Sequence, residues 1–215
     1  GEMLSQIYQI QKDTKERVSN IIVMGMGEPL DNYEELLRFI KLVSCEKGIG
    51  ISQRNITVST CGLVDKIRML ADEKLQITLA ISLHAPNDEI RRQTMPIANR
   101  YTIGEIIQAC KYYFDKTGRR ITFEYSMIRG VNDKEEHAKE LAGRLSGLNC
   151  HINLIPLNEV KERNCYRSTK EDIEKFKTIL EKYRKTVTIR REMGSDIDAA
   201  CGQLRKKFLT KNGRN

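Results

Sequence analysis

A cysteine near the end of the chain, Cys201, is the most informative candidate for a reactive side chain. Ser195 or Asp196 can cap a helix just before it, which places Cys201 in the first two turns of that helix. Backbone N–H groups and the helix dipole there stabilise a thiolate, the form of cysteine that attacks electrophiles. Asp196 and Asp198 oppose this by repulsion, and a small buried residue packed among alanines is the alternative. The local sequence therefore permits a reactive thiol without requiring one.

A second motif lies far upstream, in the sequence Gly25-Met26-Gly27-Glu28-Pro29, directly after an apolar segment. Its two glycines let the backbone approach a ligand closely, and Glu28 offers a fixed negative charge to an ammonium group. A dinucleotide site is disfavoured, because Glu28-Pro29 takes the place of the third glycine that such a site requires. A tight turn that carries a solvated glutamate is the structural alternative.

Strands alternate with helices along the chain, and this order predicts where such residues lie. The predicted strands cover residues 20–24, 55–59, 76–82, 121–127, 151–155 and 186–190. The predicted helices cover residues 3–17, 32–43, 64–70, 103–114, 134–145 and 169–183, followed by the helix at Cys201. Such alternation implies right-handed βαβ units around a parallel sheet. We therefore predict one domain of the α/β class, a partial (β/α) barrel of about six parallel strands.

Polar or glycine-containing loops follow these strands, and in parallel βα folds ligands bind at the carboxyl ends of the strands. Ser59-Thr60-Cys61-Gly62 and Ser82-Leu83-His84-Ala85-Pro86 offer hydroxyl and backbone groups to a ribose or an amino acid. His84 by itself is typical of a structural histidine. Asn158 follows the fifth predicted strand as a candidate amide contact for an adenine or ribose, or as a turn residue. All these groups are predicted to share one rim.

Composition and charge limit the class of protein. The chain has 215 residues, 40% hydrophobic and 31% charged, an ordinary globular balance. No apolar run is long enough to cross a bilayer, and we find no leader or lipidation signal, so a cytosolic protein without a membrane partner is expected. The net charge of +8 favours a nucleic-acid partner, although a solvated basic surface explains it equally well.

Cysteine spacing argues against a disulfide framework and against a metal site built from neighbouring residues of this chain. None of the cysteines lies in a CxxC or CxxxC pair. They are Cys45, Cys61, Cys110, Cys150, Cys165 and Cys201. No metal ligand is therefore assigned within the chain.

Taken together, the motifs resemble the RlmN type of radical S-adenosylmethionine RNA methyltransferases. The resemblance runs from about residue 20 to residue 204 and rests on segments in the same order as in that family. They are 25–29 (GMGEP), 59–60 (ST), 82–89 (SLHAPNDE), 130–133 (GVND), 153–156 (NLIP) and 196–204 (DIDAACGQL). It implies a radical-SAM core of truncated TIM-barrel type over residues 1–215, with a methyl-carrier segment at 194–204 and a basic tail at 205–215.

The resemblance also implies the activity and the roles of residues. The substrates would be 23S ribosomal RNA and transfer RNA, methylated at C2 of adenine. Cys201 resembles the catalytic cysteine that is methylated and then delivers its carbon to the base, and Glu28 resembles the residue that holds the cofactor's amino group. The remaining implied cofactor-binding positions are Gly27, Ser59, Ser82, Leu83, His84 and Asn158. The implied cofactors are S-adenosylmethionine and a 4Fe–4S cluster, which also needs an electron donor.

The chain departs from the family pattern at its start. The CxxxCxxC motif that holds the cluster precedes the glycine-rich loop in the family, whereas the first cysteine here is Cys45. We therefore expect a fragment whose cluster ligands lie upstream and which does not perform the radical reaction alone. The alternatives are a C8 methyltransferase of the Cfr type and a βα-barrel enzyme acting on a small phosphorylated metabolite. An inert RNA-binding module fits the charge but not the cofactor-like rim.

Overall fold

Six strands form one sheet in the computed structural model, which describes residues 1–158 and 166–191. They are β1 (Ile21–Val23), β2 (Ile56–Thr60), β3 (Thr78–Ser82), β4 (Ile121–Met127), β5 (Cys150–Pro156) and β6 (Thr186–Ile189). The strands lie side by side in sequence order, and each neighbouring pair is parallel. The predicted α/β fold with six parallel strands is confirmed.

Seven α-helices accompany these strands in the described part of the chain. They are α1 (Glu2–Thr14), α2 (Tyr33–Val43), α3 (Val64–Asp72), α4 (Asp88–Thr94), α5 (Ile103–Thr117), α6 (Glu135–Arg144) and α7 (Lys170–Lys182). Helix α4 is absent from the sequence prediction, because its seven residues are too few and too polar to show an apolar period. It begins at Asn87, whose side chain accepts a hydrogen bond from the backbone N–H of Ile90 at 3.0 Å.

Helix α5 shows how local sequence sets the bounds of an element. Thr102 and Glu105 form a reciprocal capping box at its start, and Gly118 ends it with a left-handed φ of 66°. The helix therefore runs one turn beyond the predicted end at Phe114. Tyr113 is fully buried and faces the core instead of Phe114, which is partly exposed.

The two faces of the sheet have different characters, because successive side chains of a strand point to opposite faces. The apolar face packs on the helices: the ring of Tyr125 on β4 lies 5.3 Å from that of Phe176 on α7, centroid to centroid. We call the opposite face of β3–β6, which carries Ser82, Thr122, Glu124, His151, Asn153, Thr186 and Thr188, the inner face. Its polar residues line the side of the sheet away from the core.

Among the described helices, none combines the length and the hydropathy that a membrane span requires.

Candidate functional site

The carboxyl ends of the six strands lie at one edge of the sheet, because all the strands run in the same direction. The predicted cofactor-binding residues are found at or near these ends. They are Gly27 and Glu28 after β1, Ser59 near the end of β2, Ser82, Leu83 and His84 at the end of β3, and Asn158 two residues after β5. The predicted catalytic residue, Cys201, lies outside the described residues.

The glycine-rich loop after β1 surrounds a cavity of about 320 Å³, a volume at the lower end of small-molecule sites. Gly25 and Gly27 adopt φ angles of 150° and 93°, which residues with a Cβ rarely adopt. The cavity is lined by residues 23–29 together with Met3, Asn32 and Leu36. Ser59, Ser82–His84 and Asn158 do not line this cavity, so the loop provides one pocket of the rim rather than the whole of it.

Glu28 has a structural role that the sequence does not reveal. Its Oε1 accepts a hydrogen bond from the N–H of Leu30 at 3.0 Å, and its Oε2 accepts one from the N–H of Cys61 at 2.7 Å. The first bond caps the short 3₁₀ helix Pro29–Asn32, and the second fixes this loop to the end of β2. A carboxylate has about four lone-pair sites, and these two bonds, together with one from the Cys61 thiol, do not fill them all. The side chain can therefore still accept from an ammonium group.

The thiol of Cys61 lies beside this carboxylate. Burial, a hydrogen bond with Glu28 and the negative charge of Glu28 raise the pKa of the Cys61 thiol to about 12. The thiol is therefore protonated at neutral pH and is a poor nucleophile.

We expect Cys61 to resist alkylation by iodoacetamide at pH 7.5, whereas the exposed Cys45 is modified under the same conditions. Peptide mass spectrometry after timed quenching measures both rates in one sample. Comparable labelling of the two cysteines in the folded protein would contradict the protonated, shielded thiol.

Arg91 connects the ends of β2 and β3 from inside the protein. Its side chain is fully buried, and its guanidinium donates to backbone carbonyl groups at both strand ends. Nη2 donates to the carbonyls of Cys61 at 2.6 Å and Ser82 at 3.3 Å, and Nε donates to that of Leu83 at 3.2 Å. Cys61 is thus held on both sides, its N–H by Glu28 and its carbonyl by Arg91.

His84 is neutral and has a fixed tautomer. Its Nδ1 accepts a hydrogen bond from the N–H of Ser126 at 3.0 Å, which leaves the ring proton on Nε2. Burial and then the positive charge of Arg91 lower the pKa of His84 to about 4. At neutral pH the side chain therefore offers an Nε2–H donor without a positive charge.

The backbone of His84 has an unusual conformation, with a left-handed φ of 57°. Asn132 holds it there, since Nδ2 of Asn132 donates to the carbonyls of His84 at 2.8 Å and Ser126 at 2.7 Å. Oδ1 of Asn132 accepts from the N–H of Ile128 at 2.7 Å. The GVND segment at 130–133 thus contributes Asn132, a buried residue that fixes the rim loop after β3, which contains His84.

No group of three or more His, Cys, Asp and Glu side chains in residues 1–158 and 166–191 is arranged to hold a metal ion. The four described cysteines, Cys45, Cys61, Cys110 and Cys150, are free thiols. These described residues therefore do not themselves supply the ligand set of a 4Fe–4S cluster.

These features define a partial βα barrel with a candidate ligand site at the carboxyl ends of its strands. The comparison with protein families makes the class specific: residues 3–142 match the family model of the radical SAM superfamily, and the chain belongs to that superfamily. Membership implies S-adenosylmethionine and a 4Fe–4S cluster as cofactors. The glycine cavity, the spare lone pairs of Glu28 and the Nε2–H of His84 suit S-adenosylmethionine.

The chain is similar to curated proteins named "Probable dual-specificity RNA methyltransferase RlmN". It is 62% identical to that of Lachnospira eligens over 209 residues, which covers 97% of this chain and 60% of the relative. It is 60% identical to that of Lachnoclostridium phytofermentans over 211 residues, 98% of this chain and 59% of the relative. The chain thus spans about 60% of the length of these relatives.

Two solved structures resemble the fold. A radical SAM methyltransferase from Sphaerobacter thermophilus superposes with a TM-score of 0.89 at 47% identity, over 94% of this chain and 60% of that one. A domain of pyruvate-formate lyase-activating enzyme from Bacteroides vulgatus superposes with a TM-score of 0.61 at 21% identity, over 81% of this chain and 100% of that one. The second likeness concerns the fold alone.

Proposed function

We propose that the chain is the core of a radical SAM RNA methyltransferase that delivers a methyl-derived carbon to C2 of adenine in 23S ribosomal RNA and transfer RNA. The observation that carries the proposal is the similarity of almost the whole chain to RNA methyltransferases of this superfamily. The net charge of +8 supports an RNA partner. Such substrates place the reaction in the cytoplasm.

Cofactor binding is assigned to the rim of the barrel. The carboxylate of Glu28 accepts from the amino group of S-adenosylmethionine, and Gly27 lets the backbone approach it. The Nε2–H of His84 donates a hydrogen bond to the cofactor. The other contacts with the cofactor come from Ser59, Ser82, Leu83 and Asn158. S-adenosylmethionine, together with the cluster and an electron donor, supplies the methyl group and the radical chemistry.

Cys201 is assigned as the methyl carrier. C2 of adenine is not nucleophilic, so a sulfonium cannot methylate it directly. The radical chemistry that the cofactors would supply at a methyl group carried by the protein would overcome this barrier. The thiolate of Cys201 would take the methyl group from one S-adenosylmethionine, whose S–CH₃ bond breaks and which leaves as S-adenosylhomocysteine. Cys201 would then hold the methyl group near the base with water excluded. The target adenine must leave its stack to reach the rim, which favours looped or single-stranded RNA.

The full-length protein with a reconstituted cluster tests this function. We expect it to bind S-adenosylmethionine and, with a reductant, to form 2-methyladenosine in 23S rRNA and tRNA, detected by mass spectrometry of nucleoside digests. Formation of 8-methyladenosine would favour the Cfr-type alternative. Absence of any methylated adenosine from a preparation that carries its cluster and binds S-adenosylmethionine would contradict the proposal.

Glu28→Gln is expected to weaken binding of S-adenosylmethionine in the full-length protein by roughly 1.5–3 kcal/mol, the value of a charged hydrogen bond. Isothermal titration calorimetry measures this change. One carboxylate oxygen becomes an NH₂ group that faces a backbone donor, of Leu30 or of Cys61, so thermal unfolding must be measured alongside. Glu34→Gln, at an exposed position on α2, is the matched control. Unchanged affinity in Glu28→Gln would remove Glu28 from the cofactor site.

A further inference from the structure

Four polar side chains form a continuous row across the inner face. Ser82 on β3 is paired with Glu124 on β4, Glu124 with Asn153 on β5, and Asn153 with Thr188 on β6. Residues paired in a parallel sheet point to the same face, on strands about 4.8 Å apart. One end of this row, Ser82, belongs to the segment assigned above to the cofactor.

Hydrogen bonds along the row run in one direction. Nδ2 of Asn153 donates to Oε2 of Glu124 at 2.9 Å, and Oδ1 of Asn153 accepts from the hydroxyl of Thr188 at 3.2 Å. With its single proton directed to Asn153, that hydroxyl can accept from the Nε2–H tautomer of His151, whose Nε2 lies 3.0 Å away. Burial and then the charge of Arg120 lower the pKa of His151, consistent with a neutral ring. Each donor of the chain thus points toward Glu124, and aligned bonds of this kind polarise one another.

Glu124 is therefore a buried acceptor at the end of a donor chain. Its residue is 6% exposed, and Asn153 is the one side chain among the described residues that donates to its carboxyl group. Burial raises the pKa of this carboxyl, and the Asn153 hydrogen bond and the charge of Arg190 only partly oppose that rise. A carboxylate has about four lone-pair sites, so the side chains of the described residues leave most of its acceptor capacity unused. A buried group of this kind is stabilised by a further donor.

The same residue also contacts the cofactor segment through its backbone. The carbonyl of Glu124 accepts hydrogen bonds from the N–H groups of Leu83 at 3.1 Å and His84 at 3.2 Å. Its carboxyl group therefore lies one strand away from Ser82 and is fixed relative to the rim. A ligand that enters the barrel from the rim would lie on the side of the sheet that carries this acceptor.

We propose that Glu124 is a binding residue for an adenosine group held inside the barrel, accepting a hydrogen bond from its amino group or its ribose hydroxyls. Adenosine carries donors at both places, and carboxylates commonly bind ribose hydroxyls in nucleotide sites. The inference rests on the proposed function, which brings adenosine to the site from two sources. One is S-adenosylmethionine and the other is the target nucleoside of the RNA.

Glu124→Gln in the full-length, cluster-loaded protein tests this inference. If the cofactor is the source, the Kd for S-adenosylmethionine rises about 10- to 100-fold, the equivalent of one charged hydrogen bond. If the RNA is the source, the wild type prefers a hairpin with an unpaired adenosine over hairpins carrying purine riboside or deoxyadenosine there, and the variant loses that preference. Calorimetry measures the first quantity and fluorescence anisotropy the second.

Thr188→Val provides an independent variant that leaves the carboxylate in place. It removes the hydroxyl that polarises Asn153, so it is expected to weaken the same ligand in the same direction, by less than about 10-fold. Glu135→Gln, at an exposed position on α6, is the control and is expected to change neither affinity.

The outcomes distinguish a failure of the role of Glu124 from a failure of the proposed function. A folded Glu124→Gln variant with both affinities within 2-fold of the wild type overturns the role of Glu124. If that variant does not fold, unchanged affinities in Thr188→Val overturn it instead. A cluster-loaded wild type that binds neither S-adenosylmethionine nor the hairpin overturns the proposed function, and the inference with it.

Discussion

Replacing Cys201 by alanine is expected to abolish methylation of RNA by the full-length protein, with no loss of S-adenosylmethionine binding. If Cys201 carries the methyl group, no other residue can present the transferable carbon, and product should fall below detection. If Cys201 is only a packed core residue, the variant should lose a little stability and methylate RNA normally. Nucleoside mass spectrometry together with thermal unfolding distinguishes the two roles in one preparation.

Mass spectrometry of the intact enzyme adds a second measurement. The peptide that contains Cys201 should carry the extra mass of a methylene group after purification from cells, whereas peptides of the other cysteines should not. Cys110→Ala is the matched control, because Cys110 is fully buried in the core and burial raises the pKa of its thiol. This control should destabilise the protein and leave the chemistry intact. A fully active Cys201→Ala enzyme would end the carrier hypothesis.

The sequence predicts the strands well, because they are short runs of β-branched and apolar residues, and β4 and β5 also alternate between an apolar core face and a polar inner face. The predicted bounds of β4 agree with the structure at both ends, and those of β1 and β6 differ by one residue at one or both ends. The apolar period is less informative for α1, where Ile7, Tyr8 and Ile10 recur at helical spacing but only Ile7 is buried. Tyr8 and Ile10 are 55% and 51% exposed, because α1 packs mainly on α2.

Local sequence patterns of this kind do not predict the long-range interactions that hold the rim together. The bond between Glu28 and Cys61 spans 33 residues of sequence, and no local signal marks it. Sequence alone presents Glu28 as a free charge, whereas in the structure it also joins two loops. Glu124 differs, since alternation along β4 already places it opposite the buried residues Phe123 and Tyr125. Glu124 was not among the predicted site residues, although strand alternation carries a signal for this inner-face carboxyl.

The burial of Arg91 is the clearest example of an interaction that the sequence does not predict. Its neighbour Arg92 is exposed on the same short helix, and both read as surface residues of a polar segment. Only the packed structure shows that one guanidinium replaces water at three strand-end carbonyl groups. Arg91 also has a buried Nη1 for which the described residues offer no hydrogen-bond partner, so this side chain is buried at an electrostatic cost.

Arg91→Ala is consequently expected to destabilise the protein by about 3 kcal/mol. The substitution leaves the carbonyls of Cys61, Ser82 and Leu83 without their donors, at about 1–3 kcal/mol for each group that stays buried. Relief from burying a charge offsets part of this sum. In a domain of this size the change corresponds to a fall of about 6–12 °C in Tm, which calorimetry or circular dichroism measures.

Two further variants of this helix test whether the geometry of the Arg91 guanidinium or only its positive charge stabilises the protein. Arg91→Lys keeps the charge but lacks the planar fork that reaches several carbonyls, so it should recover only part of the lost stability. Arg92→Ala should stay within about 0.5 kcal/mol of the wild type, as exposed substitutions do. A Tm for Arg91→Ala equal to that of Arg92→Ala would show that water replaces the guanidinium without loss. The carbonyls of Ser82 and Leu83 belong to the segment assigned to S-adenosylmethionine. Arg91→Ala should therefore also bind that cofactor more weakly than Arg92→Ala does.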